Sequence, residues 1–141
     1  MREILFRGKR KDNGEWVFGD LLNVGVDYDY AIRTYGGREH GQVNAVNENT
    51  AGQFTGLTDK NGTKIFEGDI GRYKQTDGAK RNGKPIACIG KVVYNAKTAG
   101  FAVDSKDEAG CKYFDYFPIK DFEVIGNIHD NPELLEVDNG R

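Results

Sequence analysis

The sequence predicts an all-β fold, and three observations carry that prediction: a hairpin-like motif that occurs twice, a composition rich in aromatics but poor in methionine, and a large excess of glycine over proline. The motif runs Phe6-Arg7-Gly8 … Asn13-Gly14 … Val17-Phe18-Gly19-Asp20-Leu21. It returns as Phe54-Thr55-Gly56 … Asn61-Gly62 … Ile65-Phe66-Glu67-Gly68-Asp69-Ile70. The offset is 48 residues from Phe6/Phe54 to Phe18/Phe66 and 49 afterwards, because Glu67 enters as one extra residue. Asn-Gly favours a type I′ turn, which needs positive φ at both central residues, so each copy is expected to be a tight hairpin. Two copies fall short of the three that a stacked array needs, which points to equivalent hairpins intertwined within one domain.

Seven tyrosines and eight phenylalanines against a single methionine suit half-buried sheets better than helical bundles. Nineteen glycines against three prolines fit tight turns and bulges, whereas long helices tolerate glycine poorly. A chain of 141 residues suits a single domain spanning 1–141, barrel-like or SH3-like, with at most one short C-terminal helical turn.

The elements follow in order. Residues 3–7 and 15–22 suit paired strands around the first Asn-Gly, and residues 23–46 suit two short strands around the glycine-rich stretch Tyr35-Gly36-Gly37-Arg38-Glu39-His40-Gly41. A polar stretch, 47–53, leads into the second copy, whose outgoing strand is expected over 64–73. Residues 74–85 hold no apolar side chain larger than Ala79, so burial cannot offset their ordering entropy and a mobile loop is expected. Strands are then expected over 86–95, 101–103, 112–119 and 122–128. Asn131-Pro132-Glu133-Leu134-Leu135 places a capping residue before proline at the first helical position, and residues 137–141 are expected to fray.

A net charge of −2 gives no global attraction to nucleic acid or to an anionic membrane. Cys88 and Cys111 form no CxxC pair and suit small core residues in a reducing cytoplasm. With no long apolar run, neither a signal peptide nor a membrane span is expected, and the expected location is the cytoplasm.

The chemistry-bearing residues are few. Ser105, the sole serine, has no Gly-x-Ser-x-Gly context, and the Cys111 thiol is distant in sequence from His40 and His129. His129-Asp130 and His40 are too few for zinc, and Asp59, Asn61 and Gly62 lack the distal glutamate of a calcium loop. Glu67 with Asp69, or Asp20 with Asp69, would act as an acid–base pair only with a raised pKa in a cleft. No phosphate-cradling glycine motif is present. No catalytic, cofactor-binding or metal-binding residue is therefore assigned, and no cofactor is expected. The Asp59 to Asp69 stretch reads either as a site or as turn chemistry alone.

Two basic clusters suggest single-stranded nucleic acid as an alternative ligand: Arg7, Lys9, Arg10, Lys11 and Trp16, and Lys74, Lys80, Arg81 and Lys84 beside Tyr73. Aromatics on both faces of Tyr113, Phe114, Tyr116 and Phe117 suggest burial by another subunit.

The run Gln53-Phe-Thr-Gly-Leu-Thr-Asp-Lys-Asn-Gly-Thr-Lys-Ile-Phe-Glu-Gly-Asp-Ile70 resembles the central signature of the YopX family of phage and prophage proteins. Met1-Arg-Glu-Ile-Leu-Phe-Arg-Gly8, Gly19-Asp-Leu21, Glu123-Val-Ile-Gly-Asn-Ile128 and Asn131-Pro-Glu-Leu-Leu135 resemble its ends, whereas residues 72–120 match least. The resemblance implies a small β-rich protein encoded by a bacteriophage or prophage, with no established activity and no functional residues to carry over. The expectation is a non-enzymatic binding or assembly protein with an unknown protein partner, self included.

Overall fold

The computed structural model describes residues 1–25, 30–35, 41–81, 84–105, 111–113 and 121–136; within these, side chains of 75–81, 84–86 and 111–113 are not described. Eleven strands account for most of these residues: β1 Phe6–Lys9, β2 Trp16–Asn23, β3 Tyr30–Arg33, β4 Val43–Ala45, β5 Gly52–Thr58, β6 Lys64–Phe66, β7 Asp69–Arg81, β8 Lys84–Asn95, β9 Gly100–Ser105, β10 Cys111–Tyr113 and β11 Glu123–Asn127. They form two antiparallel sheets, ordered β4-β3-β2-β1-β5-β6 and β10-β9-β8-β7-β11. The all-β expectation holds. The only helical elements among the described residues are 3-10 turns, including Glu48–Thr50 and the expected C-terminal turn Pro132–Leu135.

The chain divides into two compact units, Met1–Gly56 and Leu57–Arg141. In the first, β1 lies between β2 and β5. Phe6 pairs with Gln53, and the Phe54 N–H donates to the Leu5 carbonyl at 2.8 Å. Moving Phe6 forward by the repeat offset of 48 gives Phe54, and moving Gln53 back by the same amount gives Leu5. The repeat thus maps the β1/β5 pairing onto itself, which is the signature of local two-fold symmetry. Ala31, Ile32 and Val46 are buried in this unit, and Gly8 packs directly on Val46 and Ile32.

The turns themselves differ from the expected type I′ geometry. Among the described residues only glycines and Ala99 take positive φ, so Asn13 and Asn61 do not. In the first copy the strands close at Lys9 and Trp16, and Asn13 Oδ1 accepts the Glu15 N–H at 2.9 Å. In the second, the Asp59 N–H donates to the Thr63 carbonyl across a three-residue loop, with Gly62 at φ 84°. The physical reason is local competition. Asx side chains that bond backbone two residues on stabilise a longer turn needing one left-handed residue, which glycine supplies.

The second copy also breaks where the first runs straight. β2 passes through Gly19-Asp20 without interruption, whereas the expected strand over 64–73 ends at Phe66 and restarts at Asp69 in the other sheet. The inserted Glu67 and Gly68 (φ 88°) make the turn between them. The Asp69 carboxylate accepts the Phe66 N–H at 2.8 Å and closes it.

Within 74–85, strand pairing replaces the expected loop at Lys74, Gln75, Lys80, Arg81, Lys84 and Pro85. β7 and β8 continue as a paired ladder to Arg81↔Lys84, with an irregularity between Gln75 and Lys80. Cross-strand pairing gives partners to Lys74, Gln75, Lys80 and Arg81 without an apolar core, while residues 76–79 have none across the ladder. The strands over 86–95 and 101–103 appear within β8 and β9, and that over 122–128 as β11. Of the stretch 112–119, only the backbone of Lys112 and Tyr113 in β10 is described, so the side chains of Tyr113, Phe114, Tyr116 and Phe117 lie outside the described residues. So do residues 137–141.

The core of the second unit gathers Ile65, Tyr73, Cys88, Val92, Val103 and Phe122, with Leu57, Phe101 and Val124 against it. Tyr73 stacks on Phe122 with ring centroids 6.1 Å apart, and the Phe122 ring occupies the space a Cβ would take at Gly71. Cys88 is buried in this core, as expected; the Cys111 side chain lies outside the described residues. In a Cys111→Ser background, Cys88 is expected to react with an aromatic disulfide reagent only at the rate of unfolding. Stopped-flow labelling checks this, and reaction at the rate of a free thiol would place Cys88 at the surface.

Candidate functional site

The stretch from Asp59 to Asp69 concentrates the polar groups of the second hairpin, and nearly all face the protein's own backbone. Asp59 is buried; its Oδ1 accepts the N–H groups of Asn61 and Thr63, both at 2.9 Å, and its Oδ2 accepts the Val124 N–H at 2.9 Å. The Lys60 N–H donates to the Phe122 carbonyl at 3.0 Å, so the turn is tied to the entrance of β11 at two points. Burial pushes the Asp59 carboxyl up. The amides of Val124, Thr63 and Asn61, with Lys60 nearby, outweigh that and hold its pKa below the ordinary 3.8. Backbone donors aim at both oxygens, so the Asp59 carboxylate is held by the chain's own amides.

Around this anchor lies an exposed ion cluster. Glu123 accepts from Arg72 Nη2 at 3.0 Å and from Asn61 Nδ2 at 3.4 Å, with Lys60 Nζ 3.9 Å away. The Arg72 hydrogen bond, then Lys60, hold its carboxyl below the usual range. In water-facing positions such pairs stabilise little, and their value here is to fix which way the turn faces β7 and β11. Local sequence patterns carry no trace of this cluster, because its members are brought together by the pairing of β11 with β7, Glu123 opposite Arg72.

Of the carboxylates weighed as acid–base candidates, Asp69 and Asp20 have structural partners within their own units. Asp69 is buried and closes the β6–β7 turn, and Asp20, in the other unit, accepts a hydrogen bond from the Tyr35 hydroxyl. Ser105 is buried, with its hydroxyl donating to the Ile89 carbonyl at 3.4 Å. The His129 and Asp130 N–H groups both donate to Asn127 Oδ1, so Asn127 organises that turn; Asn131 accepts the Asn127 N–H and makes no cap on the helical turn it precedes. Asn127 is a turn builder that sequence reasoning missed, and Asn131, expected as the cap of the helical turn, instead holds the Asn127 amide. Among the described residues no three His, Cys, Asp or Glu side chains converge as a metal site, and His40 lies outside them.

The two basic clusters fare differently. In the first, Arg7 and Lys9 lie over the Trp16 ring, at 4.7 and 5.5 Å from its centroid, and Arg10 is bound to Asp12 through two bonds of 2.9 and 2.6 Å. In the second, Tyr73 is a core residue and cannot serve as a stacking platform, which corrects that part of the nucleic-acid reading. Lys74 is exposed; the side chains of Lys80, Arg81 and Lys84 are not described.

A face of the first sheet carries three large apolar residues that remain open. Phe18, Tyr35 and Val43 are 46%, 66% and 42% exposed. Asp20 pairs with Arg33 and Arg33 with Val43, so alternation places Phe18, Asp20, Arg33 and Val43 on one face. The Tyr35 hydroxyl on Asp20 brings its ring to the same group.

Among the described residues, no helix is long and apolar enough to cross a membrane. No curated protein matches the chain. The crystal structure of protein EF1440 from Enterococcus faecalis is similar over 96% of this chain and 99% of that one, at 26% identity and a TM-score of 0.55. The family model described as YopX protein matches residues 5–136, which includes both hairpin copies, the Asp59 anchor and the Glu123 strand that receives it. By that match over nearly its whole length, the chain belongs to the YopX family.

Proposed function

We propose that this is a phage- or prophage-encoded, non-enzymatic binding protein that acts in the bacterial cytoplasm and meets a protein partner through the Phe18 face of its first sheet. The observation that carries the reading is the exposure of Phe18, Tyr35 and Val43 about one Asp20–Arg33 pair. Exposed apolar residues gathered on one face and rimmed by charge are the composition of an interaction surface, whereas isolated ones are ordinary. The commitment of Asp59 and Asp69 to backbone donors supports binding over catalysis, because the signature's buried carboxylates are already used in shaping turns.

A photo-reactive phenylalanine analogue at position 18, expressed in cells carrying the phage or prophage, is expected to give one cross-linked adduct of defined mass. The same analogue at exposed Tyr94 is expected to give none. An adduct at twice the chain's mass identifies the partner as a second copy. Absence of any adduct from position 18 in folded protein contradicts the proposal.

A further inference from the structure

Two Asn-Gly pairs lie among the described residues, and both are at the surface: Asn13-Gly14 in the first hairpin and Asn61-Gly62 in the second. Asn-Gly is also the dipeptide most open to attack by its own backbone, because glycine puts no side chain in the way of its nitrogen. The two pairs are held differently. In the second hairpin three successive amides end on one residue: the Asn61 and Thr63 N–H groups on Asp59 Oδ1, both at 2.9 Å, and the Gly62 N–H on the Asp59 carbonyl at 3.0 Å. Asp59 is buried and also holds the Val124 N–H, so opening this set frees the turn from β11 at that point. In the first hairpin the Gly14 N–H meets the Arg10 carbonyl at 2.9 Å, but the side-chain oxygen that accepts the neighbouring Glu15 N–H belongs to exposed Asn13 itself.

We infer that Asn61 is a site of spontaneous deamidation that the Asp59 anchor holds closed, so that an opening of the turn is recorded irreversibly. Water is the only co-reactant. The Gly62 amide nitrogen gives up its proton and attacks Asn61 Cγ, forming a C–N bond, while the Cγ–Nδ2 bond breaks and ammonia leaves carrying that proton. Water then opens the succinimide at either carbonyl and gives aspartate or isoaspartate, with no change in oxidation state. While the Gly62 N–H is bonded to the Asp59 carbonyl its proton is held, and the amides bound on either side fix its nitrogen, so the attack waits on release of the turn. The product does not restore the starting turn. Asn61 Nδ2 donates to Glu123 Oε2 at 3.4 Å, and deamidation puts a carboxylate in place of that donor, turning an attraction to β11 into like-charge repulsion. Isoaspartate also lengthens the main chain within a loop that the Asp59 N–H and the Thr63 carbonyl close.

The test is peptide mass mapping of the whole chain after incubation in mildly alkaline buffer, with aspartate and isoaspartate resolved from asparagine at positions 13 and 61. Asn13 is the reference within the same molecule. A tenfold difference in rate corresponds to about 1.4 kcal/mol of opening free energy, and conversion at Asn61 is expected to be at least about tenfold slower than at Asn13. In urea sufficient to unfold the chain, the two rates are expected to converge. In Asp59→Asn, conversion at Asn61 is expected to rise at least about tenfold with Asn13 unchanged, while Cys88 in the Cys111→Ser background stays protected. Equal rates at the two positions in the native protein overturn the inference. So does a difference that persists in urea, which would place the cause in the neighbouring residues, or a rate at Asn61 that Asp59→Asn leaves unchanged.

Discussion

Replacing Asp59 with alanine is expected to destabilise the protein by roughly 3–5 kcal/mol, because three backbone donors lose a charged acceptor at once. The N–H groups of Asn61, Thr63 and Val124 all end on this one carboxylate, and two of them set the turn while the third fixes β11. Asp59→Asn keeps one carbonyl oxygen and is expected to cost about half as much. Urea denaturation followed by circular dichroism measures both. A midpoint within error of the wild type for Asp59→Ala would remove the anchor role.

The same carboxylate sets a pH dependence. Its pKa in the folded protein is held below the ordinary 3.8, so its stabilisation is present above that value and is lost as pH falls through the lower, folded value. Acid sensitivity is therefore expected to set in below about pH 4 and to be flatter in Asp59→Asn. Glu123 titrates in the same direction, but it is exposed and paired in solvent, so its share is screened.

Deleting Glu67 is expected to abolish the native packing of the second unit. The deletion would make the second copy match the first, but a one-residue shift sends every following side chain of β7 to the opposite face. Buried Asp69 and Ile70 would exchange sides with their neighbours. The bonds from Phe66 N–H to Asp69, from Gly68 N–H to the Val92 carbonyl at 2.9 Å and from Ile128 N–H to the Gly68 carbonyl at 2.8 Å would be lost together. Cys88 in a Cys111→Ser background would then label at the rate of a free thiol in native buffer. Retained protection of Cys88 in the deletion variant would mean that the inserted residue is a passive bulge.

The repeat was legible because it is written in local chemistry: aromatic-x-Gly, Asn-Gly and aliphatic-Phe pairs in constant register. Its geometry was less so. Asn-Gly reads as a type I′ turn when the two residues are considered alone, but Asp59 and Asn13 reach neighbouring amides and select longer loops. Apolar content is a poor guide to Lys74, Gln75, Lys80 and Arg81, whose order comes from backbone pairing across the ladder.

Long-range pairing hid the rest. Asp59 could be recognised as a turn residue from its position before Lys60-Asn61-Gly62, but its third donor, Val124, lies 65 residues away. The Glu123 cluster likewise exists only because β11 docks beside β7. The Phe18 face requires the β2–β3–β4 register, since neither Tyr35 nor Val43 belongs to an amphipathic pattern that sequence alone resolves.

The measurement that bears most directly on a structural role for the family signature is residue-resolved amide hydrogen exchange on wild type and Asp59→Ala. Protected amides at Asn61, Thr63 and Val124, all three released by the substitution while Arg7 and Gly8 in β1 keep their protection, is the predicted result. Free exchange of those three amides in the wild-type protein would contradict it.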